Sequence, residues 1–261
     1  MADDDIVLAE SHGPVRLLTI NRPHVYNALN SAVLERLAAL TAAAVADGAR
    51  AIVITGAGDR AFSAGADLDE FSGLDAVAAQ DRLRSGQAVM NAIESCGVPV
   101  IAAVNGLALG GGFELVLAAT FPVVSTRASL GLPESGLGLI PGYGGTQRLP
   151  RAIGSAAAAY AMLTGERITA DRAYALGLAP VPPVEPDELR ERALGIATAI
   201  AAKGPRAQAA ILTALRTAAP DAAGLALEAN LGAIATGSSE AAEGISAFLD
   251  KRSPDFEGSV R

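Results

Sequence analysis

Two short, almost wholly apolar runs constrain this chain most: Ala51 to Thr55 and Val100 to Val104. Each is strand-length and lacks the polar alternation of a sheet that faces water on one side, so each reads as a strand buried on both faces. Each is followed by a glycine-bearing turn and then by a helical pattern. Upstream, Ile6 to Glu10 and Val15 to Ile20 read as paired strands joined through Ser11-His12-Gly13-Pro14, and Asn21-Arg22-Pro23 ends the second. From Ser31 the spacing turns helical, with Val33, Leu34, Leu37, Leu40, Ala44 and Val45 on one face and Gly48 past the end. A loop from Gly56 to about Asp75 precedes a long helix to about Cys96. Val123 to Ser125 and Ser129 to Gly131 read as short strands. Strand–strand–helix units thus recur without a residue-level repeat. From about Ser155 helices dominate, apart from an extended piece at Pro180 to Val184, and a boundary at Lys203-Gly204-Pro205 leaves three helices beyond it. The pattern predicts an α/β core, residues 1–203, with a helical appendage, residues 204–261.

Half of the 261 residues are hydrophobic, enough for a sizeable core. The net charge of −8 argues against non-specific nucleic-acid binding, which needs a basic surface. Cys96 is the single cysteine, so an intrachain disulfide and a cysteine zinc cluster are both ruled out. His12 and His24 are the only histidines, too few for most transition-metal sites. The acidic Met1-Ala2-Asp3-Asp4-Asp5 is unlike a signal peptide, and apolar runs stop short of membrane-spanning length. A soluble, cytoplasmic, metal-free protein is the expectation.

Two glutamates carry the chemistry. Glu114 follows Gly110, Gly111 and Gly112 at the start of an apolar helix, and Glu134 lies in Leu132-Pro133-Glu134-Ser135-Gly136. Bare N–H groups at a helix start stabilise negative charge. Two carboxyls beside such a spot suit proton movement around a carbonyl whose oxygen becomes an anion. The plainer readings are helix-dipole compensation for Glu114 and a solvated loop acid for Glu134. Against the first stand Phe113, Leu115, Val116 and Leu117, because a buried carboxylate needs a partner or a task. A second small-residue segment, Arg60-Ala61-Phe62-Ser63-Ala64-Gly65-Ala66-Asp67-Leu68, allows close backbone approach to a ligand, or is a tight turn. The two segments together offer two donors for one oxyanion. Pro141-Gly142-Tyr143-Gly144-Gly145-Thr146-Gln147-Arg148-Leu149 matches neither a Walker loop nor a dinucleotide fingerprint. Tyr143 is a candidate pocket wall, Arg148 reads as structural, Cys96 as a buried small hydrophobe, and the histidines receive no chemistry.

These segments resemble the crotonase, or enoyl-CoA hydratase/isomerase, superfamily over nearly the whole chain. The resemblance rests on Leu18 to Pro23 with Asn27-Ala28-Leu29, on Ala61 to Leu68, on Asn105-Gly106 through Glu114, on Pro133-Glu134 through Leu149, and on Ala247 to Arg252. It implies a spiral of ββα units with a C-terminal helical trimerisation region, assembled as a homotrimer or as a homohexamer (a dimer of trimers). It implies that the Ala66 and Gly111 N–H groups form an oxyanion hole for an acyl-CoA thioester, with Glu114 and Glu134 as the catalytic acids. The contacts it implies for the substrate are Arg22, Arg60, Ala64, Ala66, Asp67, Leu68, Gly111, Pro133, Gly142, Tyr143 and Lys251. Ala64 would meet the adenine end of coenzyme A; Arg22, Arg60 and Lys251 would meet its phosphates, Lys251 across a subunit boundary. Glutamates at both positions imply hydration of a trans-2-enoyl-CoA, with the coenzyme A thioester as substrate and no metal or redox cofactor. The rivals are a Δ3-Δ2 isomerase, a hydratase or lyase of specialised substrate, and a non-catalytic acyl-CoA- or RNA-binding member. Three positions depart from the family pattern: Thr120 in place of an aspartate, Phe113 where a smaller residue would leave the pocket wider, and Asp69 where a lysine can meet the nucleotide.

Overall fold

A computed structural model describes residues 6–216 and 222–254, so the acidic stretch at Met1–Asp5 lies outside the described residues. The chain opens with an antiparallel pair, β1 (Val7–His12) and β2 (Val15–Ile20). β1 runs on past the expected Glu10 to His12 while β2 keeps its expected bounds, leaving only Gly13 and Pro14 in the turn, with Gly13 at a positive φ of 59°. Helix α1 (Ser31–Ala46) starts where the Asn30 side chain accepts from the Val33 N–H, which satisfies one of the orphan donors of its first turn. It buries Val33, Leu34, Leu37 and Ala44, the apolar stripe its spacing prescribes.

A repeating unit follows. β3 (Ala51–Gly56), β4 (Ala61–Ser63) and α2 (Ala76–Glu94) form the first, and β5 (Val100–Val104), β6 (Leu107–Leu109) and α3 (Gly111–Ala118) the second. β7 (Phe121–Val124) and β8 (Ser129–Gly131) begin a third. The longer strand of each unit joins a five-stranded sheet of order β1-β2-β3-β5-β7, parallel except for the first pair. The short strands join a second sheet, completed by β9 (Ile168–Thr169) in the order β4-β6-β8-β9. This is a ββα spiral. Pro122 is tolerated because β7 is an edge strand of its sheet.

The central strands are buried on both faces, as their unbroken apolar runs require. Ile52, Ile54, Ala102 and Val104 face one hydrophobic cluster with α1, α2 and α3. Ala51, Val53, Ile101 and Ala103 face another, closed by α7 (Leu189–Ala201). α7 presents Ala193, Ala197 and Ala201 at every fourth position, so its backbone lies close on the sheet. Between these lie α4 (Gly145–Ile153), α5 (Ser155–Thr164) and α6 (Ala170–Ala175).

Beyond Gly204 come α8 (Pro205–Arg216), α9 (Ala222–Thr236) and α10 (Ser239–Leu249). α9 lies along α2, where Gln80 bonds Asn230 and Gln87 Nε2 donates to the Leu225 carbonyl at 3.2 Å. α10 packs so tightly on the segment after Glu134 that a Cβ on Gly244 would stand 2.3 Å from the Leu137 carbonyl oxygen. No helix among the described residues is long and apolar enough to cross a membrane.

Candidate active site

The second sheet brings the two glycine-bearing segments together. β4 pairs with β6, so the chain leaving β4 (Ala64 to Asp67) meets the chain leaving β6 (Gly110 to Gly112). Contact is close enough to demand glycine. A Cβ on Gly65 would stand 2.8 Å from the Leu109 carbonyl oxygen, and one on Gly112 would stand 2.3 Å from that of Ser63. Gly112→Ala therefore forces β4 and α3 apart. We expect it to cost about 3 kcal/mol, the upper range for overpacking, and to lower the melting temperature by roughly 10 °C. Calorimetry of the purified variant measures this; an unchanged melting temperature would contradict the packing described.

Ala66 lies in a parallel bridge with Leu29. The Leu29 N–H donates to the Gly65 carbonyl, and the Asp67 N–H donates to the Leu29 carbonyl. Those bonds use the peptides on either side, so the Ala66 N–H points away from Leu29. Gly111 is the first residue of α3, where an N–H has no intrahelical acceptor. A Cβ on Gly111 would lie 3.2 Å from the Ala66 nitrogen, which places the two amides side by side. This pair can receive the oxygen of a polarised carbonyl.

Glu114 is 2% exposed. Its Oε1 accepts from the Tyr143 N–H at 2.8 Å and the Gly145 N–H at 2.7 Å, at the start of α4. Anchoring one carboxylate oxygen fixes the direction of the other, and two N–H donors stabilise negative charge there. Gly144 turns the chain at a φ of 111° so that both donors face the same acceptor. Glu134 begins a single 3-10 turn, Glu134–Leu137, rather than a plain loop. Its Oε1 lies 3.1 Å from where Gly110 would carry a Cβ, so the second carboxylate sits beside the helix start that bears Gly111.

Both glutamates line one cavity of about 490 Å³, together with Ala64, Ala66, Asp67, Leu68, Gly111, Pro133, Gly142 and Tyr143. Burial, and then the charge of Glu114, pushes the Tyr143 phenol well above the usual tyrosine value. Arg22, Arg60 and Lys251 are not brought to this lining. Arg22 Nη1 donates to the Ala28 carbonyl at 2.7 Å and to Asp67 Oδ2 at 3.1 Å, so its charge secures the Ala66 loop from behind. Asp67 is thus its partner in this structure. Arg60 lies at the rim, stacked 4.4 Å over the Tyr26 ring and donating to the Pro23 carbonyl. Lys251 is exposed in the turn after α10.

Phe113 is fully buried in the core, not in the cavity wall, so it does not narrow the pocket. The Thr120 hydroxyl accepts from the Val100 N–H at 3.0 Å and ties the end of α3 to β5. Asp69 does line the cavity. Arg148 is 4% exposed and structural as expected: it donates to Glu94, to Asn91 and to the Tyr143 carbonyl. Sequence reasoning missed His24, Val25 and Tyr26, and also Gly232, Thr236 and Phe248, while Leu83 falls in the stretch from about Phe71 to Arg84 on which pocket depth is expected to depend. The first group carried a signal, because it falls between two of the motif segments. In the second, Phe248 falls within the Ala247–Arg252 segment, whereas Gly232 and Thr236 carried no signal, because only folding brings α9 to the cavity.

Residues 10–259 match the enoyl-CoA hydratase/isomerase family. The chain belongs to this family, the crotonase superfamily. It is 40% identical over 261 residues to a crotonyl-CoA hydratase of Syntrophomonas wolfei, covering 98% of this chain and 99% of the relative. It is 42% identical over 247 residues to a 2,3-dehydroadipyl-CoA hydratase of Escherichia coli, covering 94% and 95%. Among solved structures, an enoyl-CoA hydratase from Bacillus anthracis superposes with a TM-score of 0.78 at 36% identity, covering 97% and 99%. The family's ββα spiral is the fold seen here.

Proposed function

We propose that this member of the family is an enoyl-CoA hydratase, adding water across a trans-2-enoyl-CoA to give the 3-hydroxyacyl-CoA. The observation that carries this reading is the meeting of two glutamates and two adjacent amide donors on one cavity. The thioester oxygen lies against the Ala66 and Gly111 N–H groups. Glu114 takes a proton from water as its oxygen bonds to C3, and Glu134 delivers a proton to C2. The enolate-like charge formed between these events rests on the amide pair, each donor contributing about 3 kcal/mol by analogy with other oxyanion holes. The balance closes with water as the only co-substrate, so the reaction drawn calls for no metal or redox group. Coenzyme A enters past Ala64, with Arg60 at the rim and Lys251 as candidate phosphate contacts.

We further propose that the protein works in the cytoplasm as a homotrimer or a dimer of trimers. The exposed apolar side chains of Ile211 and Leu215 on α8, and of Leu227, Leu231 and Ile234 on α9, support an assembly surface. Light scattering coupled to gel filtration tests it, a monomer being the contrary result.

The reaction is tested by supplying trans-2-enoyl-CoA and 3-enoyl-CoA side by side and identifying products by NMR. The expected result is 3-hydroxyacyl-CoA from the 2-enoyl substrate. Shift of the double bond in the 3-enoyl substrate without hydration would replace this reading by an isomerase.

A further inference from the structure

Beyond the two glutamates, the cavity wall fits one kind of acyl group. Leu83 of α2 sits in a notch cut by two glycines: a Cβ on Gly142 would stand 2.3 Å from one of its methyls, and a Cβ on Gly232 of α9 would stand 2.6 Å from the other. Tyr143 is seated in the same manner, its ring 2.2 Å from where Gly86 would carry a Cβ and 3.0 Å from where Gly111 would. The wall is thus made of large apolar groups pressed against backbone, with no room to retreat.

Charge points the same way. The described lining includes Asp67, Asp69, Glu114 and Glu134 but no lysine or arginine. The arginines nearest this wall are engaged elsewhere. Arg82, next to Leu83, donates to Glu70 at 2.9 Å, and Arg148 is held by Glu94. A carboxylate at the end of an acyl chain would leave water for a site lined by four acids, of which Asp67 is already paired with Arg22, and by His24 as the one basic side chain of the described lining.

We infer that the site selects enoyl thioesters whose chain is apolar and uncharged to its end, and that Leu83 is the wall residue that limits its length. The inference rests on the hydratase reading of the same cavity. The substrate in the name of the Escherichia coli relative is therefore a poor one for this chain.

The test compares kcat/KM for trans-2-hexenoyl-CoA and 2,3-dehydroadipyl-CoA, which share a six-carbon acyl chain and differ in the terminal carboxylate. We expect a preference of about 100-fold for hexenoyl-CoA. A ratio within about threefold of unity, or one favouring the carboxylate, would overturn the selection against charge. Calorimetric binding of hexanoyl-CoA and adipoyl-CoA repeats the comparison without turnover. A protein that hydrates nothing but binds hexanoyl-CoA far more tightly would lose the hydratase reading and keep the charge selection. Leu83→Ala is expected to raise kcat/KM for decenoyl-CoA relative to crotonyl-CoA by about tenfold. Leu83→Val carries the same comparison if the alanine variant does not fold. An unchanged ratio in a folded variant would remove Leu83 from this role.

Discussion

Glu114→Gln is expected to lower kcat for crotonyl-CoA hydration by about 1,000-fold, within the range that general acid–base groups contribute, while KM moves by no more than a few-fold. The substitution isolates chemistry from structure. A glutamine side-chain oxygen can still accept from the Tyr143 and Gly145 N–H groups that hold Glu114 Oε1 at 2.8 and 2.7 Å. The fold and the oxyanion pair therefore stay in place, and only the ability to take a proton from water is lost. Glu114→Ala differs, because it strands two buried N–H donors at about 1–3 kcal/mol each and so lowers stability together with rate. Steady-state kinetics with a melting curve for each variant separates the two. A Glu114→Gln enzyme within tenfold of wild type would show that this carboxylate is not the base.

The second large effect is on stability. Arg148→Met should destabilise the protein by about 3–5 kcal/mol, the cost of breaking a buried ion pair from one side. For a domain of this size that corresponds to a fall in melting temperature of roughly 10 °C. The guanidinium is almost fully buried and holds three partners on two elements: Glu94 and Asn91 on α2, and the Tyr143 carbonyl before α4. Methionine fills much of the volume but leaves these acceptors without a donor. The Tyr143 peptide also donates to Glu114, so the variant should lose activity below its melting point as well. Glu94→Gln, which keeps an acceptor for Arg148, should cost much less. Equal melting temperatures for wild type and Arg148→Met would refute the bracing role.

The sequence made the central strands legible because burial on both faces leaves an unbroken apolar run bounded by glycine or proline, as at Ala51–Gly56 and Val100–Val104. It hid β4, β6 and β9, whose two or three residues show no period of their own, though β8, equally short, was read from the sequence. These short strands hold the site, since β4 and β6 bring Ala66 beside Gly111. The two glutamates of the candidate site were legible because a carboxylate among apolar neighbours, or in a polar-poor loop, is unusual enough to call for a task. The partner of Arg22 was not legible, because a charge in a motif looks the same whatever it meets, here Asp67. Phe113 misled because spacing within a helix does not say which face meets the cavity. Gly232 was silent, since only folding brings α2 and α9 together.

The central claim is that two carboxylates serve one hydration on one cavity, and crotonyl-CoA turnover by the wild type, Glu114→Gln, Glu134→Gln and the double variant tests it most directly. Rapid wild-type hydration is expected, with a loss of about 100-fold or more in each single variant and a double variant little slower than the worse single one, because groups that act in one step are not additive. Wild-type rates in either single variant, or a double loss equal to the product of the two, would contradict that claim.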